Sequence, residues 1–191
     1  MGIKLVHEEK AEELARQLVA LLTERRYTLA LAESCTAGLV ADLVGRVSGA
    51  SAALWGSFVC YSPEAKQRML GLERDFLERY GLVSGETARA MALHARELAG
   101  TTLAAAVTGI AGPLGDGSNT PVGTVWTAAA WEGHCREKEL HFQGTRAEIR
   151  MQAAAAVLEE LLEVVNVQLD CLRRTEGSET NTLPKQDPLG S

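Results

Sequence analysis

Two segments of this sequence concentrate the side chains that could do chemistry. The first follows an apolar run and reads Glu33-Ser34-Cys35-Thr36, so that a carboxylate, two hydroxyls and a thiol are close together. Ser34 can cap a helix or act as a nucleophile, and Cys35 is the rival nucleophile because a helix N-terminus lowers the pKa of a thiol. Polar groups where a strand ends are typical of small-ligand sites in α/β proteins.

The second segment spans residues 107–124 and is rich in glycine. Thr108 opens it, and Gly109 and Gly112 follow within the next four residues. Glycines let the main chain approach a ligand closely, and successive N–H groups can hold a phosphate or an oxyanion. The spacing matches neither GxGxxG nor GxxxxGK[ST], so it indicates neither a dinucleotide-binding fold nor a nucleotide triphosphatase.

A nucleophile needs a base, and here the sequence favours a lysine over a histidine. None of the four histidines lies beside either segment. Lys66 is the better candidate, because burial lowers the pKa of a lysine and lets its amine accept a proton. Tyr61 lies five residues earlier and can relay a proton or donate to an anion. Arg146 opens a predicted helix, where its charge opposes the helix dipole, and this indicates an anionic partner. No metal-ligand spacing is present, so no metal is expected.

The elements that must position these side chains alternate along the chain. Helices are expected over residues 8–26 and 38–47, from Ser62-Pro63 onward, over 84–98, and from a Thr145 capping box onward. Strands are expected over residues 27–32, 54–61 and 102–108, with a hairpin of 123–131 and 135–142. This order predicts an α/β fold, a three-layer α/β/α sandwich with a mixed, mostly parallel sheet. It places the first segment at a strand's end and a helix's beginning.

Composition narrows the functional class. The chain has 191 residues, 46% of them hydrophobic, and a formal net charge of -6. That balance argues against a broad nucleic-acid surface. Residues 1–174 are expected to form one domain and 175–191 a disordered polar tail. No signal peptide or membrane span is predicted. The four cysteines are scattered, so reduced thiols and a cytoplasmic location are expected.

Four motifs occur in order along the chain. They are Ala32-Glu33-Ser34-Cys35-Thr36, Phe58-Val59-Cys60-Tyr61-Ser62 with Glu64-Ala65-Lys66, Gly109-Ile110-Ala111-Gly112-Pro113, and Pro121-Val122-Gly123-Thr124-Val125. Taken together, these motifs closely resemble the CinA C-terminal domain family, the nicotinamide mononucleotide deamidases. The resemblance covers about residues 8–162.

The resemblance implies hydrolysis of the carboxamide of nicotinamide mononucleotide, without a cofactor or a metal. Its functional positions carry over to Ser34, Ser51, Tyr61, Lys66, Thr108 and Arg146. Ser34 would attack, Lys66 would act as base and Tyr61 as relay, while Thr108 and loop N–H groups would hold the oxyanion. Substrate-binding roles are expected for Glu33, Cys35, Thr36, Ser51, Gly109, Gly112 and Arg146. A homodimer is also implied.

Two alternatives remain open at the level of sequence. Cys35 could replace Ser34 as nucleophile, and Ser51 or Thr108 could exchange roles with Ser34. The chain could instead be a non-catalytic nucleotide-binding module, a partner in competence or the DNA-damage response. It also departs from the family pattern, with Ala37 where a glycine is usual and Leu114-Gly115-Asp116-Gly117 in place of a more glycine-rich run. The separate N-terminal domain of many relatives is not expected, because the motifs begin close to residue 1.

Overall fold

A computed structural model describes residues 2–169, with the surroundings of the side chains described for residues 7–167. Six helices form: α1 (Gly2–Arg25), α2 (Leu39–Gly45), α3 (Pro63–Leu70), α4 (Arg74–Tyr80), α5 (Gly85–Ala99) and α6 (Arg146–Glu163). Five strands alternate with them: β1 (Leu29–Glu33), β2 (Leu54–Val59), β3 (Leu103–Gly109), β4 (Thr124–Trp131) and β5 (His134–His141). A short 3₁₀ turn, Ala50–Ala52, precedes β2, and a π turn, Val164–Leu169, follows α6.

The five strands form one mixed sheet in the order β2-β1-β3-β4-β5. β1 is parallel to both of its neighbours, and in that register Glu33 lies between Val59 of β2 and Val107 of β3. β4 and β5 continue the sheet as the antiparallel hairpin. The α/β class is therefore confirmed, and the three parallel strands end at the same edge of the sheet.

Helices cover both faces of this sheet. Alternation along β1 and β3 directs Leu29, Leu31 and Leu103 into one core, with α1, α2 and α6. Ala30 and Ala104 face the other core, which α3, α4 and α5 complete. The small side chains on that second face bring α5 close to the middle of the sheet, and α3 and α4 lie beside it. The three-layer prediction is thus confirmed.

Local signals placed most boundaries correctly. Ser62 and Ser84 accept hydrogen bonds from the first turns of α3 and α5, and Thr145 with Glu148 forms the expected capping box. The helix α4 was not predicted, because seven residues are too few to show a clear helical period. The domain boundary at residue 174 and the polar tail lie outside the described residues and stay predictions.

One boundary differs in a way that matters for the site. α2 begins at Leu39 rather than at Gly38, because Ala37 and Gly38 adopt left-handed backbone conformations with φ of 49° and 91°. The segment with Ser34 and Cys35 is therefore a turn of its own, and the prediction that it opens a helix is wrong. Within residues 2–169, no helix is both long and apolar enough to cross a bilayer.

Candidate active site

A cavity of about 200 Å³ opens where β1 and β3 end. This is the edge at which parallel α/β sheets bind ligands. It is lined by Ser34 and Cys35, by Tyr61, Pro63 and Lys66, by Leu82 and Val83, by Thr108 to Gly112, by Leu114 to Asp116, and by Arg146. The structure thus brings together the two segments rich in polar chemistry, together with the Tyr61–Lys66 segment and Arg146.

Lys66 is the most unusual group in the cavity wall. Ser62 and Pro63 start α3 so that Lys66, one turn later, points inward, and only 1% of the residue is exposed. Its Nζ donates to the carbonyl oxygen of Cys60 at 3.0 Å, and it forms no ion pair within the described part of the chain. Burial lowers its pKa to about 8, although the thiols of Cys60 and Cys35 oppose this shift. Such an amine is mostly protonated at neutral pH, but its neutral fraction is far larger than that of an exposed lysine.

Ser34 is held in place by its main chain. Its N–H donates to the carbonyl of Val107 at 3.0 Å, and its own carbonyl accepts from the N–H of Ala37 at 3.0 Å. The residue is 9% exposed and lines the cavity. Its hydroxyl makes no hydrogen bond with the other residues that the structure describes, so it is available to a ligand.

Cys35 also lines the cavity but is poorly suited to attack. The residue is 5% exposed, and burial raises the pKa of its thiol to about 11. The thiolate is the nucleophilic form, so little of it exists at neutral pH. The turn conformation removes the helix N-terminus that was expected to favour the thiolate, because α2 starts four residues further on.

Arg146 joins the two sides of the cavity mouth. It is the first residue of α6, and its Nη1 donates to the carbonyl of Gly112 at 2.7 Å. Its Nη2 donates to the phenolic oxygen of Tyr61 at 2.6 Å, so Tyr61 keeps its own proton for another acceptor. A guanidinium here gives the mouth a positive charge, as the sequence predicted.

The glycine-rich loop contributes main-chain groups. Gly109 is required by packing, since a Cβ there would lie 2.7 Å from the carbonyl oxygen of Thr124. Gly112 has a left-handed φ of 74°. The N–H groups of Ala111 and Gly112 donate no hydrogen bond within the described residues, although both residues are buried. Buried N–H groups are nearly always paired, so these two are suited to an anionic ligand.

Thr108 lines the cavity but has a different role from the one expected. Its hydroxyl donates to the carbonyl of Leu82 at 2.8 Å and so ties β3 to the segment before α5. A hydroxyl has a single proton, which is therefore already used. Thr108 does not stabilise an oxyanion in this arrangement, and the loop N–H groups are the better donors.

No group of three or more His, Cys, Asp or Glu side chains among the described residues is placed to hold a metal ion. Asp116 is the one carboxylate in the cavity wall, and its Oδ1 accepts from the main chain and hydroxyl of Ser118 at 2.9 and 2.6 Å. These hydrogen bonds lower its pKa.

Comparison with known proteins identifies the family of this chain. The family model for the CinA C-terminal domain matches residues 11–165. The chain belongs to the CinA C-terminal domain family. A CinA-like protein of Geobacter sp. (strain M21) is 48% identical over 150 residues, which are 78% of this chain and 36% of that protein. The chain spans about a third of the length of the CinA-like relatives it matches.

Solved structures of the CinA superfamily have the same fold. The competence/damage inducible protein CihA from Agrobacterium tumefaciens is 36% identical, with a TM-score of 0.78 over 82% of this chain and 96% of that one. A competence-damaged protein (CinA) superfamily protein from Escherichia coli is 32% identical, also with a TM-score of 0.78, over 81% of this chain and 90% of that one.

Two residues expected to bind substrate through the CinA resemblance are buried away from the cavity wall. Glu33 is 1% exposed, and its carboxylate accepts from the N–H groups of Val40 and Ala41 and from the hydroxyl of Ser57. Thr36 is completely buried. Neither residue lines the cavity, because the turn after β1 directs them into the protein, and a substrate-binding role for them stays a prediction.

Ser51 is the third residue that the structure keeps away from the cavity. It is exposed in the 3₁₀ turn before β2, whereas the cavity lies beyond the other end of that strand. A six-residue strand extends roughly 20 Å. Within one chain, therefore, Ser51 does not reach the cavity, and its contribution to the site stays a prediction.

Sequence reasoning also missed a residue beside the site. Arg150 of α6 donates to the carbonyls of Cys35 and Thr36, at 3.1 and 2.5 Å. The available signal was its spacing, since it follows Arg146 by four residues and lies on the same side of the helix.

Proposed function

We propose that this protein is a nicotinamide mononucleotide amidohydrolase, which converts nicotinamide mononucleotide and water to nicotinic acid mononucleotide and ammonia. The observation that carries the proposal is Lys66, a buried amine with no ion-pair partner among the described residues, in the same cavity as the available hydroxyl of Ser34. Membership of the CinA family supports it. A substrate of this kind belongs to pyridine-nucleotide salvage.

The first step of the proposed reaction is attack by Ser34. The neutral amine of Lys66 takes the proton of the Ser34 hydroxyl as the Oγ bonds to the carboxamide carbon. Negative charge develops on the carbonyl oxygen, and the N–H groups of Ala111 and Gly112 can stabilise it. The low pKa of Lys66 suits this role, because a base works best when its pKa is near the working pH.

The second step releases ammonia. The protonated Lys66 passes its proton to the leaving nitrogen, directly or by relay through the phenol of Tyr61, as the C–N bond breaks, which leaves an ester on Ser34 and a neutral amine on Lys66. Water then attacks this ester, with the amine again accepting a proton, and the carboxylate product leaves with the Ser34 hydroxyl restored. No step requires a metal or a redox cofactor.

The mouth of the cavity suits the phosphate of the substrate. Arg146 uses two of its N–H groups on Gly112 and Tyr61, and its remaining donors are free for an anion. Arg146, Tyr61 and the loop at Gly112 come from three separate segments of the chain and meet at the mouth. A phosphate bound there would leave the carboxamide to lie deeper in the cavity, near Lys66.

The experiment is ammonia release from nicotinamide mononucleotide by the purified protein, with the product identified by chromatography. Ser34→Ala and Lys66→Ala should each abolish turnover. Ser48→Ala, which changes an exposed serine outside the cavity, is the matched control and should keep full activity. Activity that survives in Ser34→Ala but is lost in Cys35→Ala would assign the attack to Cys35 instead.

Binding without turnover is the outcome that contradicts the enzyme. If the wild-type protein binds the nucleotide in calorimetry and releases no ammonia, the protein is a non-catalytic nucleotide-binding module and not an amidohydrolase. The proposed cytoplasmic location rests on the scattered cysteines and is tested separately by cell fractionation.

We also propose that the protein forms a homodimer through strand β2. β2 is an edge of the sheet, Trp55 and Val59 on it are 54% and 40% exposed, and no charged residue lies between Leu54 and Tyr61. An uncharged apolar edge is self-complementary, because a second copy brings no like charge against it. In light scattering, Trp55→Lys should convert a dimer to a monomer, while Leu98→Lys, at an exposed position on α5, should not. A monomeric wild-type protein would contradict the proposal.

A further inference from the structure

The turn that carries Ser34 has a costly backbone conformation. Ala37 adopts a φ of 49°, and Gly38 follows with a φ of 91°. A left-handed conformation costs a residue with a Cβ about 1–2 kcal/mol, so the surrounding contacts must maintain it. The contacts that hold this turn come from two charged side chains on opposite sides of it.

One of the two is the carboxylate of Glu33 at the end of β1. It accepts from the N–H groups of Val40 and Ala41 at 3.1 and 2.9 Å and so fixes the start of α2. The other is the guanidinium of Arg150. Its Nε donates to the carbonyl of Cys35 at 3.1 Å and its Nη2 to the carbonyl of Thr36 at 2.5 Å. The carboxylate therefore binds amides and the guanidinium binds carbonyls.

A single peptide group connects Arg150 to Ser34. The carbonyl of Thr36 accepts from Arg150, and the N–H of the same peptide group, that of Ala37, donates to the carbonyl of Ser34 at 3.0 Å. In a trans peptide these two bonds point in opposite directions. The carbonyl of Thr36 also accepts from the N–H of Leu39 at 3.2 Å, so the guanidinium and the start of α2 together hold the plane of this peptide group, to which the main chain of Ser34 is bonded.

Arg150 does not line the cavity, and it forms no ion pair within the described residues. Its guanidinium donates to two main-chain carbonyls, and these hydrogen bonds are strong because the donor is charged. It lies one helical turn after Arg146, so the start of α6 reaches both the mouth of the cavity and the turn with Ser34.

We propose that Arg150 is a positioning residue, which sets the direction of the Ser34 hydroxyl by holding the carbonyls of Cys35 and Thr36. The inference rests on the proposed function, because it concerns the group that attacks. Arg150 acts on the rate of the chemical step and not on the affinity for substrate, since it touches the turn and not the cavity.

The test combines kinetics with hydrogen exchange on Arg150→Met and Arg150→Lys. Arg150→Met should lower kcat for nicotinamide mononucleotide about 100-fold while KM stays within about two-fold, because a misplaced nucleophile slows the reaction without weakening binding. Exchange of the Ala37 amide, followed by NMR, should accelerate. The Arg150→Lys variant can donate to only one of the two carbonyls, Cys35 or Thr36, at a time and should recover part of kcat. Guanidinium ion added to the Arg150→Met variant should also recover part of kcat.

Arg96→Met is the matched control. Arg96 is also a helical arginine that donates through Nε to a main-chain carbonyl, that of Thr102 at 3.1 Å, but it lies at the opposite end of β3 from the cavity. Its loss should affect stability and leave kcat and Ala37 exchange unchanged. A rise in KM with constant kcat, or unchanged Ala37 exchange in Arg150→Met, would overturn the inference. If the wild-type protein releases no ammonia, the proposed function fails, and the exchange measurement alone then decides whether Arg150 holds the turn.

Discussion

Lys66 and Glu160 are both charged and almost completely buried, on opposite faces of the sheet, and their surroundings differ. Lys66 is 1% exposed and has one carbonyl as its hydrogen-bond partner. Glu160 is 2% exposed, accepts from the hydroxyl of Thr127 at 2.6 Å and pairs with Arg136 at 3.4 Å. Burial disfavours the charge of both groups, lowering the pKa of Lys66 and raising that of Glu160.

The difference in partners indicates that Glu160 has a structural role and Lys66 a chemical one. Glu160 has partners that offset its burial, and it lies away from the cavity, joining α6 to the hairpin strands. Lys66 lacks a carboxylate partner within the described residues and lines the cavity. A buried charge that the fold leaves uncompensated costs stability, and such groups concentrate at functional sites. The comparison therefore points to Lys66 as the reactive group.

The largest expected effect concerns activity. Lys66→Met should lower kcat/KM for nicotinamide mononucleotide by about 10³-fold or more, because the base is removed. Glu160→Met should leave it within about three-fold, since Glu160 does not touch the cavity. Ammonia release under identical conditions measures both. Lys138→Met, on the exposed hairpin strand β5, controls for loss of a lysine charge. Equal losses at Lys66 and Glu160 would remove the distinction between the two groups.

The same pair of substitutions should change stability in opposite directions. Lys66→Met removes an amine whose charge is costly to bury and should raise the free energy of unfolding at pH 7 by up to about 3 kcal/mol, the cost that corresponds to its lowered pKa. Glu160→Met leaves the buried hydroxyl of Thr127 without its acceptor and should lower that free energy by about 1–3 kcal/mol. Urea unfolding measures both values.

The stability difference at Lys66 should also depend on pH. Between its folded pKa of about 8 and the 10.5 of an exposed lysine, the unfolded chain binds one proton more than the folded protein. The wild-type protein therefore gains stability as pH rises through this range, and Lys66→Met lacks that gain. The advantage of the variant is greatest below pH 8 and disappears toward pH 10.5. A constant advantage across this range would show that the cost of Lys66 is not its charge.

The activity, measured as kcat/KM, should also depend on the protonation of Lys66. The base acts in its neutral form, so kcat/KM should rise about ten-fold per pH unit below the pKa of Lys66, near 8, and become constant above it. A pH profile of ammonia release tests this. Glu160→Gln should leave the profile unmoved, because Glu160 lies away from the site. A rise centred near pH 5 would assign the essential base to a carboxylate instead.

The smallest effect is expected at Cys35, whose thiol borders Lys66 and opposes the lowering of its pKa. Cys35→Ala should keep activity within about three-fold, since its buried thiol has a pKa of about 11 and is protonated at neutral pH. Complete loss of ammonia release in a folded Cys35→Ala variant would make the thiol the nucleophile.

Much of the fold could be predicted from local signals. The caps Ser62, Ser84 and Thr145 and the turn at Gly133 each depend on a few neighbouring residues, and each is where the sequence indicated it. The helix α4 and the start of α2 could not be predicted as easily. α4 is short, and the left-handed Ala37 is stabilised by Glu33 and Arg150, which reach it from other elements.

Part of the site could also be predicted from signals that involve only a few neighbouring residues. Ser34 follows β1 and Thr108 lies at the end of β3, and the ends of neighbouring parallel strands meet at one edge of a sheet. Residue type and position at the end of a strand were therefore sufficient to place them. Glu33 and Thr36 belong to the same segment but face the interior. A sequence motif does not show which way each of its side chains points.

By itself, the sequence determined which elements form and which residue types are concentrated where two of the strands end, since capping, turn chemistry and periodicity act over a few residues. Only the tertiary structure decided which charges are compensated. Arg146 meets Tyr61 across 85 positions, Arg150 meets Cys35 across 115, and Lys66 is buried without an ion pair among the residues that the structure describes. These contacts, and the pKa of Lys66 that follows from its burial, depend on how distant segments pack around one cavity.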